Sequence, residues 1–318
     1  MAGGRRKKPA RRRRSEETPS SEPDFDGGTH GVVVAHHGVA VLVRAEDGAE
    51  RQIWLQPEQR AVVGDRVRVD GDRLAVEPAH GVLRRRDPRG RERTIATNLD
   101  WLGIVVAVEP REPPGYIDRG FVIARAAGIE PFLVLNKIDL DEGGALGARL
   151  EEIYSASGPV FRVSAERGEG LAAIPALLAG GRLGAFVGPS GVGKSSLLNA
   201  LVPDLDLRVG ALNRGSGKGT HTTTTATLHA LDGGGFLVDT AGFKDFIAVD
   251  VEPFEAAAGF PGLESAGAAG CRFRDCLHRT EPGCGVLAAL EAGEIDARRH
   301  RAYVQLVEEL EAPETLRR

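Results

Sequence analysis

The order of two motifs constrains the fold of this chain more than any other sequence feature. Asn136-Lys137-Ile138-Asp139 reads N-K-x-D and follows the apolar run Phe132–Leu135. Gly188–Ser195 comes later, reads G-x-x-x-x-G-K-S and follows the apolar run Ala185–Val187. Continuous apolar runs of this kind are typical of parallel strands that are buried on both faces. Because ligands of open α/β sheets bind at the carboxyl ends of such strands, both motifs are predicted to lie at one edge of a single sheet.

The later motif predicts a phosphate-binding loop. Its glycines let the backbone curl so that N–H groups point at phosphate oxygens, and the helix that follows adds its positive end. We expect Lys194 to reach the β- and γ-phosphates and Ser195 to bind Mg²⁺. The predicted nucleotide-contacting residues of this loop are Gly188, Pro189, Ser190, Gly191, Val192, Gly193, Lys194, Ser195 and Ser196. Alone, the loop indicates a nucleoside triphosphate without specifying the base.

The earlier motif specifies the base. A carboxylate accepts hydrogen bonds from N1–H and N2–H₂ of guanine together, a donor pair that adenine lacks, so Asp139 is assigned to guanine. Asn136 is expected to fix the loop and approach the purine edge, and the stem of Lys137 is expected to pack on the base. Ser164-Ala165 follows the apolar run Val160–Val163 and matches the S-A signature, whose backbone contacts the guanine carbonyl.

A third group of residues predicts a γ-phosphate sensor. Asp239–Gly242 fits D-x-x-G at the end of an apolar run, so Asp239 is expected in the Mg²⁺ shell and the Gly242 N–H near the γ-phosphate. The Gly- and Thr-rich segment Gly215–Thr225 predicts a loop that orders over Mg²⁺ and the γ-phosphate. Phe243 occupies the position at which Ras-like enzymes carry a water-orienting glutamine. His221 is the nearest residue able to replace it, although a purely structural role in the loop is the alternative.

The cysteines predict a metal site. All three lie between Cys271 and Cys284, which favours metal binding in a reducing compartment over a disulfide framework. Together with His278 they form Cys-x4-Cys-x-His-x5-Cys. Three thiolates and one imidazole complete a tetrahedral Zn²⁺ set without an open position, which is typical of a structural ion. We therefore predict one structural zinc on Cys271, Cys276, His278 and Cys284, and a cytoplasmic location.

The composition changes along the chain and predicts a multidomain fold. Residues 31–80 contain five short β-branched runs separated by turn signals, which predicts an OB-like β-barrel that either binds nucleic acid or is purely structural. Residues 99–250 alternate strand and helix patterns, as expected of a doubly wound α/β domain. Residues 251–318 are predicted to form a mostly helical module around the cysteines.

Arginine-rich segments predict contact with an anionic partner. Residues 81–98 are interpreted as a linker with six arginines between Arg84 and Arg93. Arg272, Arg274 and Arg279 lie among the predicted metal ligands, where they would form an RNA-contacting surface. Residues 1–30 are predicted to be a disordered basic tail, either solvated or in contact with RNA. No apolar run approaches the ~20 residues of a membrane span, so no membrane contact is expected.

The motif order N-K-x-D, S-A, G-x-x-x-x-G-K-S, H-T-T-T, D-x-x-G resembles that of the circularly permuted GTPases, since ordinary GTPases carry the phosphate loop first. With a barrel before these motifs and the cysteine cluster after them, residues 31–311 closely resemble the bacterial ribosome small subunit-dependent GTPase A family. Asn98-Leu99-Asp100, Gly188–Asn199 and Gly219–Thr224 also carry this resemblance. The sequence departs from it at Ala241, where relatives usually have proline, and at Thr220.

The resemblance implies a Mg²⁺-dependent P-loop GTP hydrolase that binds GTP and GDP and assists late maturation of the small ribosomal subunit. It implies stimulation by that subunit and contact with its rRNA, and we expect a monomer. It also implies that His221 positions the attacking water and that Thr223 binds Mg²⁺ and the γ-phosphate, so that Lys194, His221 and Thr223 are the expected catalytic residues. The alternatives are an RNA-binding scaffold with negligible turnover and a permuted GTPase that acts on the large subunit.

Overall fold

A computed structural model describes residues 27–86, 91–202, 205, 207, 226–239, 251–263, 266, 267 and 270–312. Most of the basic tail, the Gly- and Thr-rich segment and the end of D-x-x-G lie outside these ranges. The predicted site residues His221, Thr223 and Gly242 are therefore among those to which the structure does not extend.

The N-terminal strands form an open antiparallel barrel. They are β1 (Thr29–His36), β2 (Ala40–Ala45), β3 (Glu50–Trp54), β4 (Arg66–Asp70) and β5 (Arg73–Val76). β1 pairs with both β2 and β4, while β3 pairs with β2 and β5 pairs with β4. The alternating β-branched side chains fill the interior, where Val33, Val41, Val43, Ile53, Val67 and Leu74 are buried. The predicted all-β N-terminal fold is confirmed.

A β-hairpin forms within residues 81–98, the arginine-rich stretch that was expected to be a linker. β6 (Leu83–Arg86) and β7 (Glu92–Ala96) pair antiparallel. Apolar anchors are confined to the base of the hairpin, where Leu83 and Ala96 are buried. The charged residues between them give no alternating hydrophobic pattern, which is why the sequence did not predict strands here.

The α/β domain is built on a parallel sheet with helices on both faces. Its elements are β8 (Trp101–Ala107), α1 (Tyr116–Ala126), β9 (Glu130–Asn136), α2 (Ala145–Tyr154), β10 (Val160–Arg162), α3 (Ala173–Leu178), β11 (Leu183–Val187), α4 (Lys194–Leu201), β12 (Thr227–Ala230) and β13 (Phe236–Asp239). The strand order is β10-β9-β8-β11-β13-β12, with β12 antiparallel to its neighbour β13. The predicted doubly wound class is confirmed, and α2 is a helix that the sequence analysis did not predict.

Each buried strand of this sheet feeds two cores. Side chains alternate across β8, so that Ile104 and Val106 pack on one face and Val105 and Ala107 on the other. This two-sided burial explains the continuous apolar runs in the sequence. Because β8, β9 and β11 run parallel, the loops that follow them emerge at the same edge of the sheet.

The barrel and the α/β sheet are continuous. β1 pairs antiparallel with β12, and Ala35 lies opposite Thr227. Within the described residues this gives one sheet that runs from β10 to β3. The N-terminal barrel is thus joined to the strand that starts directly after residues 208–225.

The C-terminal helices are α5 (Pro253–Gly259), α6 (Gly285–Glu291) and α7 (Ala297–Glu311). α5 begins with a capping box between Glu252 and Glu255. Asp296 caps α7 by accepting a 2.7 Å hydrogen bond from the Arg298 N–H. The predicted mostly helical character of this segment agrees with these elements. Across the described residues, no helix has the length and apolar character needed to cross a membrane.

The helical module packs against α1 of the α/β domain. Arg299 of α7 donates a 2.6 Å hydrogen bond to the Asp118 carboxylate, which also accepts one of 3.1 Å from the Tyr154 hydroxyl. The guanidinium of Arg299 lies 5.2 Å from the centre of the Tyr154 ring. Asp118 is almost fully buried, so this charged contact forms part of the interior between the two units.

Candidate functional site

Asn136 joins three of the predicted motifs. It ends β9 and its side chain is 1% exposed. Its Nδ2 donates a 2.9 Å hydrogen bond to the Val192 carbonyl of the phosphate loop. Its Oδ1 accepts one of 3.1 Å from the Ala165 N–H of the S-A pair. N-K-x-D, S-A and the phosphate loop, which are separate in the sequence, therefore meet at one buried amide.

Asp139 is presented as an ionised acceptor. Its Oδ1 accepts a 2.6 Å hydrogen bond from the hydroxyl of buried Ser164, which lowers the pKa of the carboxyl. The Ser164 oxygen in turn accepts a 3.2 Å hydrogen bond from the Arg167 N–H. Asp139 is charged at neutral pH, as an ordinary aspartate also is, and the serine hydroxyl further favours this carboxylate form, which suits the paired N–H donors of guanine.

Lys137 has the left-handed backbone conformation, with φ of 61°. Its Nζ donates a 2.8 Å hydrogen bond to the carbonyl of Glu109, which follows β8. This contact holds the side chain along the carboxyl edge of the sheet. Packing of the Lys137 stem on a base stays a prediction.

The phosphate loop has a conformation that depends on glycine. Gly193 has φ of 94°, and a Cβ there would lie 2.4 Å from Asn136 Nδ2. A Cβ on Gly188 would lie 2.4 Å from the Val105 carbonyl oxygen. α4 begins at Lys194, directly after the loop, so the positive end of the helix faces the loop. The predicted strand–loop–helix context is present.

The side chains of the loop divide by exposure. Lys194 Nζ donates hydrogen bonds of 2.6 and 2.9 Å to the carbonyls of Gly188 and Pro189, so the ammonium crosses its own loop. Val192 is buried, whereas Ser190, Gly191 and Ser195 are exposed and Ser196 is half-buried. The Ser195 hydroxyl is therefore accessible at the start of α4.

Asp239 lies on the same sheet edge. It ends β13, which runs parallel to β11, the strand that leads into the phosphate loop. Burial raises the pKa of Asp239, while the neighbouring His229 acts in the opposite direction. A partly buried carboxylate of this kind gains from a cation partner. The structure brings Asp239 to the edge where Asn136, Asp139 and the loop emerge.

The four predicted metal ligands converge. The ligand atoms of Cys271, Cys276, His278 and Cys284 all lie within 4.8 Å of one another. His278 Nδ1 is 3.3 Å from the Sγ of Cys284 and 3.5 Å from that of Cys271. Burial raises the pKa of the Cys276 thiol to about 12, so a cation is needed to favour its thiolate form. The cluster can hold a metal ion.

The C-terminal elements orient these ligands. His278 has φ of 55°, and its carbonyl lies 2.8 Å from His300 Nε2 on α7. Tyr303 on the same helix donates a 2.7 Å hydrogen bond to the Leu277 carbonyl. Cys284 caps α6, accepting a hydrogen bond from the Leu287 N–H at 3.5 Å. The cluster is thus built into the packing of α6 and α7.

The arginines around the cluster differ in role. Arg272 and Arg274 are exposed, and the Arg272 guanidinium lies 5.5 Å from the centre of the exposed Phe273 ring. Arg279 forms a two-pronged ion pair with Glu311, with distances of 2.6 and 3.0 Å. Arg279 is therefore engaged within the protein, so that of the three arginines predicted to contact RNA, Arg272 and Arg274 are the exposed ones.

Two parts of the site were not predicted from the sequence. The hydroxyl of Ser164 contacts Asp139 directly, whereas only backbone contacts were expected of the S-A pair. The Glu109 carbonyl binds Lys137 although the segment after β8 carries no recognisable motif. A serine placed one βα unit after N-K-x-D was a usable signal for the first contact. A backbone carbonyl leaves no signal of its own.

Comparison with known proteins agrees with this geometry. The family model described as RsgA GTPase matches residues 76–248. The small ribosomal subunit biogenesis GTPase RsgA of Azotobacter vinelandii is 42% identical over 300 residues, covering 90% of this chain and 87% of the relative. The protein of the same name from Chromohalobacter salexigens is 42% identical over 309 residues, covering 93% of this chain and 90% of that one.

Solved structures give the same result. The crystal structure of YjeQ from Thermotoga maritima is 34% identical, covers 90% of this chain and 99% of its own, and has a TM-score of 0.72. The structure of YloQ, a circularly permuted GTPase, is 25% identical, covers 91% and 97%, and has a TM-score of 0.67. The chain matches these proteins in motifs, domain order and fold, and it therefore belongs to the RsgA GTPase family.

Proposed function

We propose that this chain hydrolyses GTP as a maturation factor of the small ribosomal subunit and that the subunit stimulates its turnover. The observation that carries the guanine-nucleotide site is the buried Asn136 amide, which ties the phosphate loop to the two base-reading motifs. The subunit is proposed from the relatives, whose names specify small ribosomal subunit biogenesis. Exposed Arg272 and Arg274 support contact with rRNA.

The geometry of the described residues supports the proposed nucleotide contacts. Asp139 accepts from N1–H and N2–H₂ of guanine, with Ser164 fixing its orientation. The loop from Gly188 to Ser196 directs its N–H groups at the phosphates. Lys194 exchanges its loop carbonyls for β- and γ-phosphate oxygens when nucleotide binds, since a phosphate is the stronger partner for an ammonium.

The proposed catalytic step is attack of water on the γ-phosphate. Ser195, Thr223 and Asp239 are the residues that would hold Mg²⁺, and the ion would supply positive charge against the β- and γ-phosphates. His221 orients the water, because Phe243 lacks a polar group for this role. The Gly242 N–H senses the γ-phosphate. The roles of His221, Thr223 and Gly242 are proposed from the sequence pattern.

The ion of the Cys₃His cluster is proposed to be zinc. Three sulfur donors and one nitrogen donor suit its tetrahedral coordination, and a set that leaves no open position suits a structural rather than catalytic ion. The confinement of the chain's three cysteines to this cluster supports a reducing, cytoplasmic compartment.

The function is tested by measuring GTP hydrolysis by the purified protein alone, with small subunits and with large subunits. We expect small subunits, and not large subunits, to stimulate hydrolysis. In His221→Ala the stimulated rate should be lower by about tenfold or more. Stimulation by large subunits instead would favour the alternative target. Binding to small subunits without any stimulation would favour the scaffold. The same rate in His221→Ala and the wild type would remove His221 from the mechanism.

A further inference from the structure

The segment that joins β8 to α1 lies between the nucleotide site and the helical module. This β8–α1 segment comprises residues 108–115 and contains Pro110, Pro113 and Pro114. Because proline fixes the φ angle, a segment with three prolines has few conformations open to it. A displacement at one end of such a segment is passed to the other end. The contacts at its two ends are therefore linked.

The first end of the β8–α1 segment contacts two of the nucleotide motifs. The Glu109 carbonyl accepts the 2.8 Å hydrogen bond from Lys137 Nζ of N-K-x-D. A Cβ on Gly191 of the phosphate loop would lie 3.4 Å from Cγ of Pro110, so the proline ring lies against that loop. The base-reading motif and the phosphate loop thus share the support of this end of the segment.

Lys137 has a backbone conformation that needs such support. Its φ of 61° is in the left-handed region, which is unfavourable for a residue that carries a side chain. The bond to the Glu109 carbonyl holds the ammonium end of the same residue. Lys137 lies two residues before Asp139, so a change in its backbone conformation would move the carboxylate that is proposed to read guanine.

The second end of the β8–α1 segment contacts α7 of the helical module. Gly115 has φ of 75°, and a Cβ there would lie 2.6 Å from the Cβ of Ala302. Only a residue without a side chain lets the segment approach α7 this closely. The first turns of α1 add an ion pair between Arg119 and Glu309, beside the buried Asp118 contact. α7 therefore holds the start of α1 through both packing and charge.

α7 also supports the metal cluster. His300 Nε2 lies 2.8 Å from the carbonyl of the predicted ligand His278. Tyr303, next to Ala302, donates a 2.7 Å hydrogen bond to the Leu277 carbonyl. The described contacts therefore run without a break from the metal cluster through α7 and the β8–α1 segment to N-K-x-D and the phosphate loop.

We propose that α7 positions N-K-x-D and the phosphate loop through the β8–α1 segment, so that the helical module sets the affinity for guanine nucleotide. Ala302 is the positioning residue on α7, and it acts through Gly115, Glu109 and Pro110. Because coupling between two sites is reciprocal, bound nucleotide should in turn stabilise the contact between α1 and α7. The inference rests on the nucleotide-binding part of the proposed function and does not depend on the ribosomal partner.

Ala302→Leu tests this path from the end that is farthest from the nucleotide. The larger side chain has no space beside Gly115 and would displace the β8–α1 segment. We expect the dissociation rate of N-methylanthraniloyl-GDP, measured by stopped-flow fluorescence, to rise by about fivefold or more. Gln305→Leu is the matched control, because Gln305 is exposed on the same helix. It should change the rate by less than about twofold.

Val41→Ala separates a transmitted displacement from a general loss of stability. Val41 is buried in the barrel core, outside α1, α7 and the nucleotide motifs, and its truncation should lower the melting temperature. The GDP dissociation rate of this variant should stay within about twofold of the wild type. The proposal is overturned when Ala302→Leu leaves the rate unchanged, or when Val41→Ala raises it equally.

Hydrogen exchange of the wild-type protein tests the same path without a substitution. Saturation with GDP should slow the exchange of amides in residues 115–119 and 297–303 as well as in the motifs, while residues 40–45 of the barrel should be unaffected. Protection confined to residues 136–139 and 188–196 would overturn the proposal. Stimulation of wild-type hydrolysis by small subunits, measured separately, reports on the proposed function, so the two can fail independently.

Discussion

The site depends at the residue scale on a few side-chain hydrogen bonds that join separate motifs. Asn136 is buried and uses both ends of its amide, so its replacement would leave the Val192 carbonyl and the Ala165 N–H without partners. Asp139 and Ser164 form the second such unit. Because these contacts cross between motifs, a single side chain decides the relative position of base and phosphate sites.

Asp139→Asn is expected to weaken GDP binding by at least about tenfold, because an amide replaces an acceptor pair with one donor and one acceptor. Xanthosine diphosphate provides the control. Its base carries a carbonyl in place of the guanine amino group, so the new amide can donate to it and affinity should rise relative to the wild type. Calorimetric titration with both nucleotides measures the effect. Equal loss of both would indicate a damaged fold and reject the recognition role.

Ser164→Ala is expected to change the pH dependence of GDP affinity. The hydroxyl lowers the pKa of Asp139, so the carboxylate stays charged above that depressed value and is lost as the pH falls through it. Without the hydroxyl the pKa rises toward its ordinary range, and affinity should begin to fall at a higher pH. Titrations between about pH 6 and pH 3, with circular dichroism at each pH, measure this, because both the depressed and the ordinary aspartate pKa lie below about 4. Superimposable pH profiles would contradict the assignment.

At the scale of elements, the strand–loop–helix units explain how much the sequence could predict. Strands β8, β9 and β11 are buried on both faces, so the sequence predicted them from their apolar runs, and motifs were recognisable at the ends of β9 and β11. The hairpin β6–β7 was not readable, because its pairing is anchored only at the base by Leu83 and Ala96. The bond from Lys137 to the Glu109 carbonyl also has no sequence pattern. A contact to a backbone carbonyl does not require a particular residue type at that position, so it cannot be predicted from the sequence.

The C-terminal helices are expected to depend on the metal cluster. Purified protein should contain about one zinc ion per chain, because the four ligands come from one short segment that the ion would order. Cys284→Ser should lower both the zinc content and the melting temperature, since Cys284 is a ligand and also caps α6. Elemental analysis and calorimetry measure the two. Stoichiometric zinc in the variant would show that Cys284 is not a ligand.

At the scale of the whole molecule, the helical module is joined to the α/β domain through a buried charge. Arg299→Met is expected to destabilise the protein by about 3–5 kcal/mol, because it leaves the Asp118 carboxylate without its cation. The double variant Asp118→Asn with Arg299→Met should recover much of that loss, since no charge is then stranded. Chemical denaturation of the single and double variants measures the difference. Additive losses would indicate that the two side chains do not interact energetically.

The pairing of β1 with β12 has a consequence for any attempt to study the α/β domain separately. β12 pairs with β13 on one side and with the barrel strand β1 on the other, where Ala35 lies opposite Thr227. Removal of residues 1–80 would uncover the backbone donors and acceptors along that side of β12, and an uncovered strand edge recruits other strands. We expect the truncated protein to self-associate with increasing concentration, as light scattering would detect. A truncated protein that stays monodisperse at high concentration would contradict this. We therefore expect the barrel to protect the β12 edge from self-association.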